Sequence, residues 1–563
     1  MRIHQLLPVV IIACAPRGSA PASSSGGAGS GDAEALAASG AAGLRAISPE
    51  RFEANTRYLS SDELEGRAPG SPGGAKAEQF IADQFAALGL APAGSDGSYF
   101  QTVALREATR IDGESSLVVH TGHGDVAIEG GRDALLLPSP RAADVRVDAP
   151  LVFAGFGISR PDLGYDDLAG VDLAGAIAVV FRGAPTMIGG VPVDAAQGAV
   201  LSDLPARTRT LKARGALAVL AVFNPRFAAR LPFVQYVTKV FGPTMAWLDH
   251  GEPGSDPVLP TVTLDHAAFD RILGGGMQAL WSQLDRGASP RRALGATASL
   301  RIRSSHREIA ARNVIGVLRG SDPQLASELV IFTAHSDHIG IGPPVRGDRI
   351  YNGALDNASG SAALIEIARA FRALSPPPRR SIAFAAVTAE EKGLLGSGYF
   401  VEHPTLPLDR IIADVNLDGV TVEHEPFDIV AVGAEHSSLG QVAAVAARAT
   451  GFRLSPDPAP EQVIFIRSDQ YSFVQHGIPS VFPQVGWLDG HGDPTGYRAA
   501  ESRWSAEHYH QPSDEWLPEY RAAWGARQMQ FEFLLGLSVA SATERPRWNP
   551  GDAFGRPGGV LRR

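Results

Sequence analysis

Leu329-Val330-Ile331-Phe332-Thr333-Ala334-His335-Ser336-Asp337 carries both a strand signal and the first candidate site residues. The run Leu329 to Thr333 is continuously apolar or β-branched, which predicts a strand buried on both faces, because a strand with one wet face alternates apolar and polar residues. The same texture recurs at Asn313 to Leu318, Ser381 to Val387, Ile411 to Leu417 and Ile429 to Val432. Between and after these runs, helices are expected at Ser359 to Leu374, Leu439 to Thr450 and Ala522 to Ser538. Strands alternating with helices predict an α/β fold built on a mostly parallel, doubly wound sheet covered on both faces. In such sheets the ligand crevice lies beyond the carboxyl ends of the strands.

The chain has 563 residues, too many for one compact unit, so two or three domains are expected. The α/β unit is read as residues 47–110 and 297–545. Its first part carries an expected helix from Pro49 to Leu59 with Ser48 as cap, and a second from Ala75 to Leu88 stopped by Gly89. Residues 111–296 differ in texture: short β-rich runs sit between Gly- and Pro-containing turns, with no catalytic cluster, and are read as a separate, mostly β insertion. The tail, 546–563, is rich in Pro, Gly and Arg and is expected to be loose.

The N-terminus reads as an export signal. Arg2 precedes a short apolar run, Leu6 to Ala13, too short to span a bilayer. Cys14, the only cysteine, closes Ile11-Ile12-Ala13-Cys14, which resembles a bacterial lipobox, so residues 1–14 are taken as a signal peptide with a lipidated Cys14. Residues 15–46, rich in Ser, Gly and Ala, are expected to be a flexible tether. One cysteine excludes a disulfide framework and cysteine-ligated zinc. The net charge of -10 argues against a nucleic-acid partner. Contact with a membrane is expected only through the lipid anchor, because no later stretch reaches the roughly 18 apolar residues of a span.

The histidines and acids of the α/β unit follow its strands. His335 and Asp337 come just after Thr333, Glu390 and Glu391 after Val387, and Asp418 at the end of Ile411 to Leu417; Asp356 lies in a Gly/Asn loop before a helix. Loops after parallel strands emerge at one rim, so these groups can converge. Imidazole and carboxylate suit zinc, and a catalytic zinc keeps a position open for water. A second ion about 3.5–4 Å away can stabilise both attacking and leaving oxygens. A carboxylate free of metal is then needed to take the proton of the water, and the neighbours Glu390 and Glu391 could divide the two tasks.

Taken together, Thr333-Ala334-His335-Ser336-Asp337-His338, Asn352-Gly353-Ala354-Leu355-Asp356-Asn357-Ala358-Ser359-Gly360, Ala389-Glu390-Glu391-Lys392-Gly393, Asn416-Leu417-Asp418-Gly419 and Tyr509-His510-Gln511-Pro512-Ser513-Asp514 resemble the family 28 metallopeptidases, the group containing di-zinc aminopeptidases and glutamate carboxypeptidase. The resemblance covers roughly residues 47 to 540. It implies the zinc-exopeptidase fold, peptide substrates and two zinc ions per chain. His335, Asp356 and Asp418 would hold one ion, and Asp356, Glu391 and His510 the other, with Asp356 bridging. Glu390 would be the general base, and Asp337 would hydrogen-bond His335 and fix its ring. Leu355 stands where the family often has an acid and Gln511 where Thr is common; neither is a ligand. Tyr471, in Ser468-Asp469-Gln470-Tyr471, could help stabilise an oxyanion. The insertion, through Phe153-Ala154-Gly155-Phe156-Gly157 and Tyr165-Asp166-Asp167-Leu168-Ala169-Gly170, resembles a protease-associated domain, with Asp166 and Asp167 read as turn residues. The expected activity is release of N-terminal residues from peptides. A carboxypeptidase or dipeptidase, with Arg467 receiving the substrate carboxylate, a one-zinc glutaminyl cyclase and a non-catalytic binding lipoprotein are the alternatives.

Overall fold

Leu329–His335 is a strand buried at all of its positions. It lies at the centre of a parallel set. Ser381–Val387 pairs with it on one side and Ile411–Asn416 on the other, and Ser480–Val485 extends the set beyond Ile411–Asn416. Alternate side chains enter two cores. Val330, Phe332 and Ala334 pack with Phe371, Phe384 and Phe533. Leu329 and Ile331 pack on the opposite face with Val387, Phe400 and Phe473. Helices Pro49–Leu59, Pro72–Ala87, Ser359–Arg372, Leu439–Thr450 and Ala522–Ser541 cover the first face. Leu395–Glu402 and Gln470–Gln475 cover the second. The α/β, doubly wound arrangement is therefore the one expected, with antiparallel strands added at its flanks.

The computed structural model describes residues 30–248, 259–290 and 293–555. The expected signal peptide and Cys14 lie outside the described residues. Ser48 caps Pro49–Leu59 by accepting from the Arg51 amide at 3.3 Å. The next helix begins at Pro72 rather than Ala75, because Ser71 accepts from the Gly74 amide at 3.0 Å and Pro72 needs no amide partner in a first turn. Among the described residues no helix is long and apolar enough to cross a membrane.

Three expectations are corrected. The tether does not remain loose up to residue 46: Ser30–Ser39 and Ala41–Ala46 are helices. Small residues cannot build a core of their own, but they can line another. Gly43 is buried so closely that an added Cβ would lie 2.2 Å from the Phe533 ring. The described part of the tail also packs, with Phe554 fully buried against His436 and Phe465.

The third correction concerns the insertion. Residues 111–296 are mixed rather than mostly β, with helices Ala195–Ser202, Leu204–Ala213, Pro225–Arg230, Phe233–Lys239, His266–Leu273 and Met277–Asp285. The reason is topological. Asp144–Phe153, Ile177–Phe181, Ala218–Val222 and Thr261–Leu264 pair in parallel, and parallel neighbours need crossovers. Asp166 and Asp167 serve the local backbone: Asp167 accepts the Phe156 and Ile158 amides and Asp166 accepts the Leu168 amide. The boundary read between residues 296 and 297 falls inside a continuous strand. One strand, Ala293–Leu318, pairs with Asp144–Phe153 over its first half and with Phe100–Arg110 and Ser381–Val387 over its second. Thr244–Trp247, from within the insertion, pairs with Leu105–Ala108.

Candidate metal centre

The parallel strands end at one rim, and their last residues and following loops carry the acids and histidines. His335 is the last residue of Leu329–His335. Its Nε2 lies 3.3 Å from Asp356 Oδ1 and 3.2 Å from Asp418 Oδ1. On the other side of Asp356, His510 Nε2 lies 3.2 Å from Asp356 Oδ2 and 3.1 Å from Glu391 Oε2. Asp356 thus faces both histidines, one through each carboxylate oxygen. The five residues, remote in sequence, are brought together as two triads sharing Asp356.

The ring orientations suit metal binding. His335 Nδ1 is 3.1 Å from the Asp337 carbonyl oxygen, and His510 Nδ1 is 3.0 Å from the Lys239 carbonyl oxygen. A proton on each Nδ1 leaves the Nε2 lone pair directed at the carboxylates. Burial opposes charge on His335, yet Asp418 and Glu390 overcome it and push its pKa well up. Burial likewise opposes charge on His510, and Glu391 and the groups beside it reverse the effect. The donor set, neutral imidazole and carboxylate within a few ångströms, fits zinc.

The loop carrying Asp356 is held from below. Asp514 accepts the Leu355 and Asp356 amides at 3.0 and 3.1 Å. Gly353 has φ +59°, and a Cβ there would lie 2.2 Å from the Asp356 carbonyl oxygen and 2.5 Å from the His338 ring. Ala389, Leu394 and His510 also have positive φ (56°, 60° and 54°), conformations that cost about 1–3 kcal/mol each for residues with a Cβ and gather at functional loops.

Two expected roles change. The Asp337 carboxylate does not reach His335 Nδ1, from which it stands 3.9 Å away; it accepts the Glu390 and Glu391 amides at 3.1 and 3.4 Å and so aligns the two glutamates. Tyr471 is a packed aromatic: its hydroxyl donates to Asp203 of the insertion at 2.9 Å, which does not support an oxyanion role. The phenol beside the ligands is Tyr509, stacked on the His510 ring at 3.9 Å. Burial pushes the Tyr509 pKa to about 12, so it stays a neutral donor.

Three further residues belong to the centre. His338 is fully buried, with Nδ1 2.7 Å from Glu391 Oε1 and 4.0 Å from Asp356 Oδ2, at ligand distance from the second triad. Arg67 is buried and donates to the Leu59, Ser336, Asn352 and Gly353 carbonyls. Asp514 holds the Asp356 loop. His338 and Asp514 stand inside recognisable motifs, but only the folded chain shows what they touch. Glu390 lies in the field of His335, Glu391, Asp418 and Asp469. Burial and the three carboxylates push its pKa well up, and His335 works in the opposite direction.

Residues 313–533 match the family model described as Peptidase family M28. Aminopeptidase YwaD of Bacillus subtilis (strain 168) is 34% identical over 116 residues, 20% of this chain and 23% of that protein. A glutamate carboxypeptidase 2 homolog of Caenorhabditis elegans is 32% identical over 175 residues, 29% of this chain and 21% of that protein. The chain thus spans about a quarter of the length of the curated relatives it matches. The structure of an aminopeptidase from Aneurinibacillus sp. strain AM-1 superposes with a TM-score of 0.51 at 20% identity, over 90% of this chain and 96% of that one, which shows a shared fold. All five residues of the two triads fall within the matched span, and the chain carries a domain of peptidase family M28, a metallopeptidase family.

Proposed function

We propose that this chain is an exported di-zinc aminopeptidase that removes N-terminal residues from peptides. The observation that carries the reading is the pair of triads sharing Asp356, with Glu390 beside them. His335, Asp356 and Asp418 would hold one zinc ion, and Asp356, Glu391 and His510 the other. Zinc in such a site supplies Lewis acidity and lowers the pKa of water toward 7. Glu390, kept off the triads and aligned through its amide on Asp337, takes the proton of the attacking water and returns it to the leaving amine. Tyr509, protonated and stacked on His510, is a donor available to the developing oxyanion.

Charge favours the amino end of a substrate. Asp356, Glu391, Asp418 and Glu390 can balance two divalent ions, and the fully buried Asp469 close by, whose pKa burial raises to about 7, adds a partial negative charge at neutral pH. An ammonium group is drawn to such a site and a carboxylate is repelled. A second reading, a carboxypeptidase, rests on Arg467, whose charge acts on Tyr509. End-blocked peptides separate the two. N-acetylation is expected to abolish release of the terminal residue, while C-terminal amidation leaves it within about threefold, a cost well under 1.4 kcal/mol. The opposite pattern would establish the carboxypeptidase. No hydrolysis of any unblocked peptide by zinc-loaded protein would point to a binding protein.

A further inference from the structure

Residues 239–247 of the insertion touch three segments that carry or flank the candidate ligands. Lys239 is the last residue of Phe233–Lys239, so its carbonyl has no partner within that helix. It is 3.0 Å from His510 Nδ1. The Lys239 ammonium is turned back and buried, with Nζ donating to the Ser505 and Tyr509 carbonyls at 3.0 and 2.6 Å and standing 5.7 Å from the centre of the Tyr509 ring. Two residues on, Phe241 packs on Tyr351 at 5.0 Å, at the start of the loop leading to Asp356. At the far end, Trp247 Nε1 donates to the Leu395 carbonyl at 2.9 Å, just after Glu390 and Glu391.

His510 is the ligand with most need of such support. Its backbone has φ +54°, and it lies in an irregular loop rather than at a strand end. A ligand held this way is oriented by its neighbours, and here Lys239 supplies both the carbonyl that orients the ring and the ammonium that binds the chain at Ser505 and Tyr509.

We propose that residues 239–247 act as a strap by which the insertion sets the affinity of the second metal position, with Lys239 as the positioning residue for His510. The proposal rests on the two-ion reading above. It makes the insertion a structural part of the metal centre: a movement of Lys239 relative to the sheet loosens one ion and leaves the other, held by His335, Asp356 and Asp418, in place.

The test counts bound zinc in the full chain equilibrated with zinc buffers of graded free concentration. Wild-type protein is expected to saturate at two ions. Lys239→Met keeps the carbonyl that orients His510 but removes the ammonium that anchors it to Ser505 and Tyr509, and is expected to bind one ion as wild type does and the other roughly 10-fold more weakly, the low end of the cost of disturbing a group that orients a ligand. Lys239→Arg, which keeps a cation and donors, is expected to recover part of the loss. Wild-type affinity for both ions overturns the strap. Equal weakening of both ions, with a lower melting temperature of the metal-free variant, also overturns it, because that is the signature of a purely structural lysine. Should Lys239→Met fail to fold, Lys239→Gln, which keeps one donor group, carries the same measurement. Fewer than two ions in saturated wild-type protein would overturn the two-ion reading, a result separate from any difference between variant and wild type.

Discussion

Glu390→Gln is expected to retain wild-type zinc and to lower kcat on aminoacyl substrates by about 10²–10⁴-fold, the range supplied by a positioned general base. The substitution keeps the size of the side chain and its place after Ala389, and Asp337 still accepts the backbone amide of residue 390. What is lost is the ability to accept a proton. Glu390 suits that task because burial and the nearby Glu391 and Asp418 carboxylates raise its proton affinity well above that of an exposed glutamate. Glu391 cannot substitute for it, because its two oxygens face His510 and His338 at 3.1 and 2.7 Å. Measuring kcat and zinc content on the same sample checks the expectation. Turnover near wild type with full zinc would remove Glu390 from the chemistry, and loss of zinc would make it a ligand.

Arg67→Met is expected to destabilise the protein by about 3–5 kcal/mol, read from the midpoint of denaturant unfolding, because one member of a buried charge network is removed and the rest is left uncompensated. Arg67 is 1% exposed and ties Leu59 to the Ser336 and Asn352-Gly353 backbone, the two loops that carry the metal-site histidine and aspartate. Its pKa is lowered by burial to about 10, so it remains charged at neutral pH and offsets Asp514, Asp337, Asp356 and Glu391. Saturating zinc is expected to recover part of the loss, since bound cations replace some of the missing charge. Arg67→Lys is expected to recover less than half, because an ammonium cannot reach the four carbonyls that the planar guanidinium serves at once. Unfolding within 1 kcal/mol of wild type would show that the loops hold without it.

What the sequence made legible follows from where the information lies. Strands buried on both faces are continuous apolar runs, so Leu329–His335, Ser381–Val387 and Ile411–Asn416 could be read locally, and with them the rim at which His335, Glu391 and Asp418 meet. Asp356 and His510 could be named from their motifs. Contacts between remote segments could not. Arg67 reaches residues nearly three hundred positions away, and the Lys239 carbonyl meets His510 across a similar gap. Nothing in Glu65-Gly66-Arg67 or Thr238-Lys239-Val240 carries that information. His338 was visible as a residue but not as a neighbour of Glu391, because three positions after a strand end set no direction for a side chain. The insertion misled for another reason: its helices are ten residues or fewer, and the apolar runs of Ile177–Phe181 and Ala218–Val222 stand out beside them. Those runs are as fully buried as the strands of the α/β unit, and parallel pairing, which the insertion shares, is what such burial indicates.

The most direct measurement is diffraction from crystals of the zinc-loaded protein at the zinc absorption edge. The expected result is two anomalous peaks per chain, one among His335 Nε2, Asp356 and Asp418 and one among Asp356, Glu391 and His510 Nε2. A single peak at full occupancy, or a peak coordinated by residues outside these five and His338, would contradict the arrangement on which the proposed activity depends.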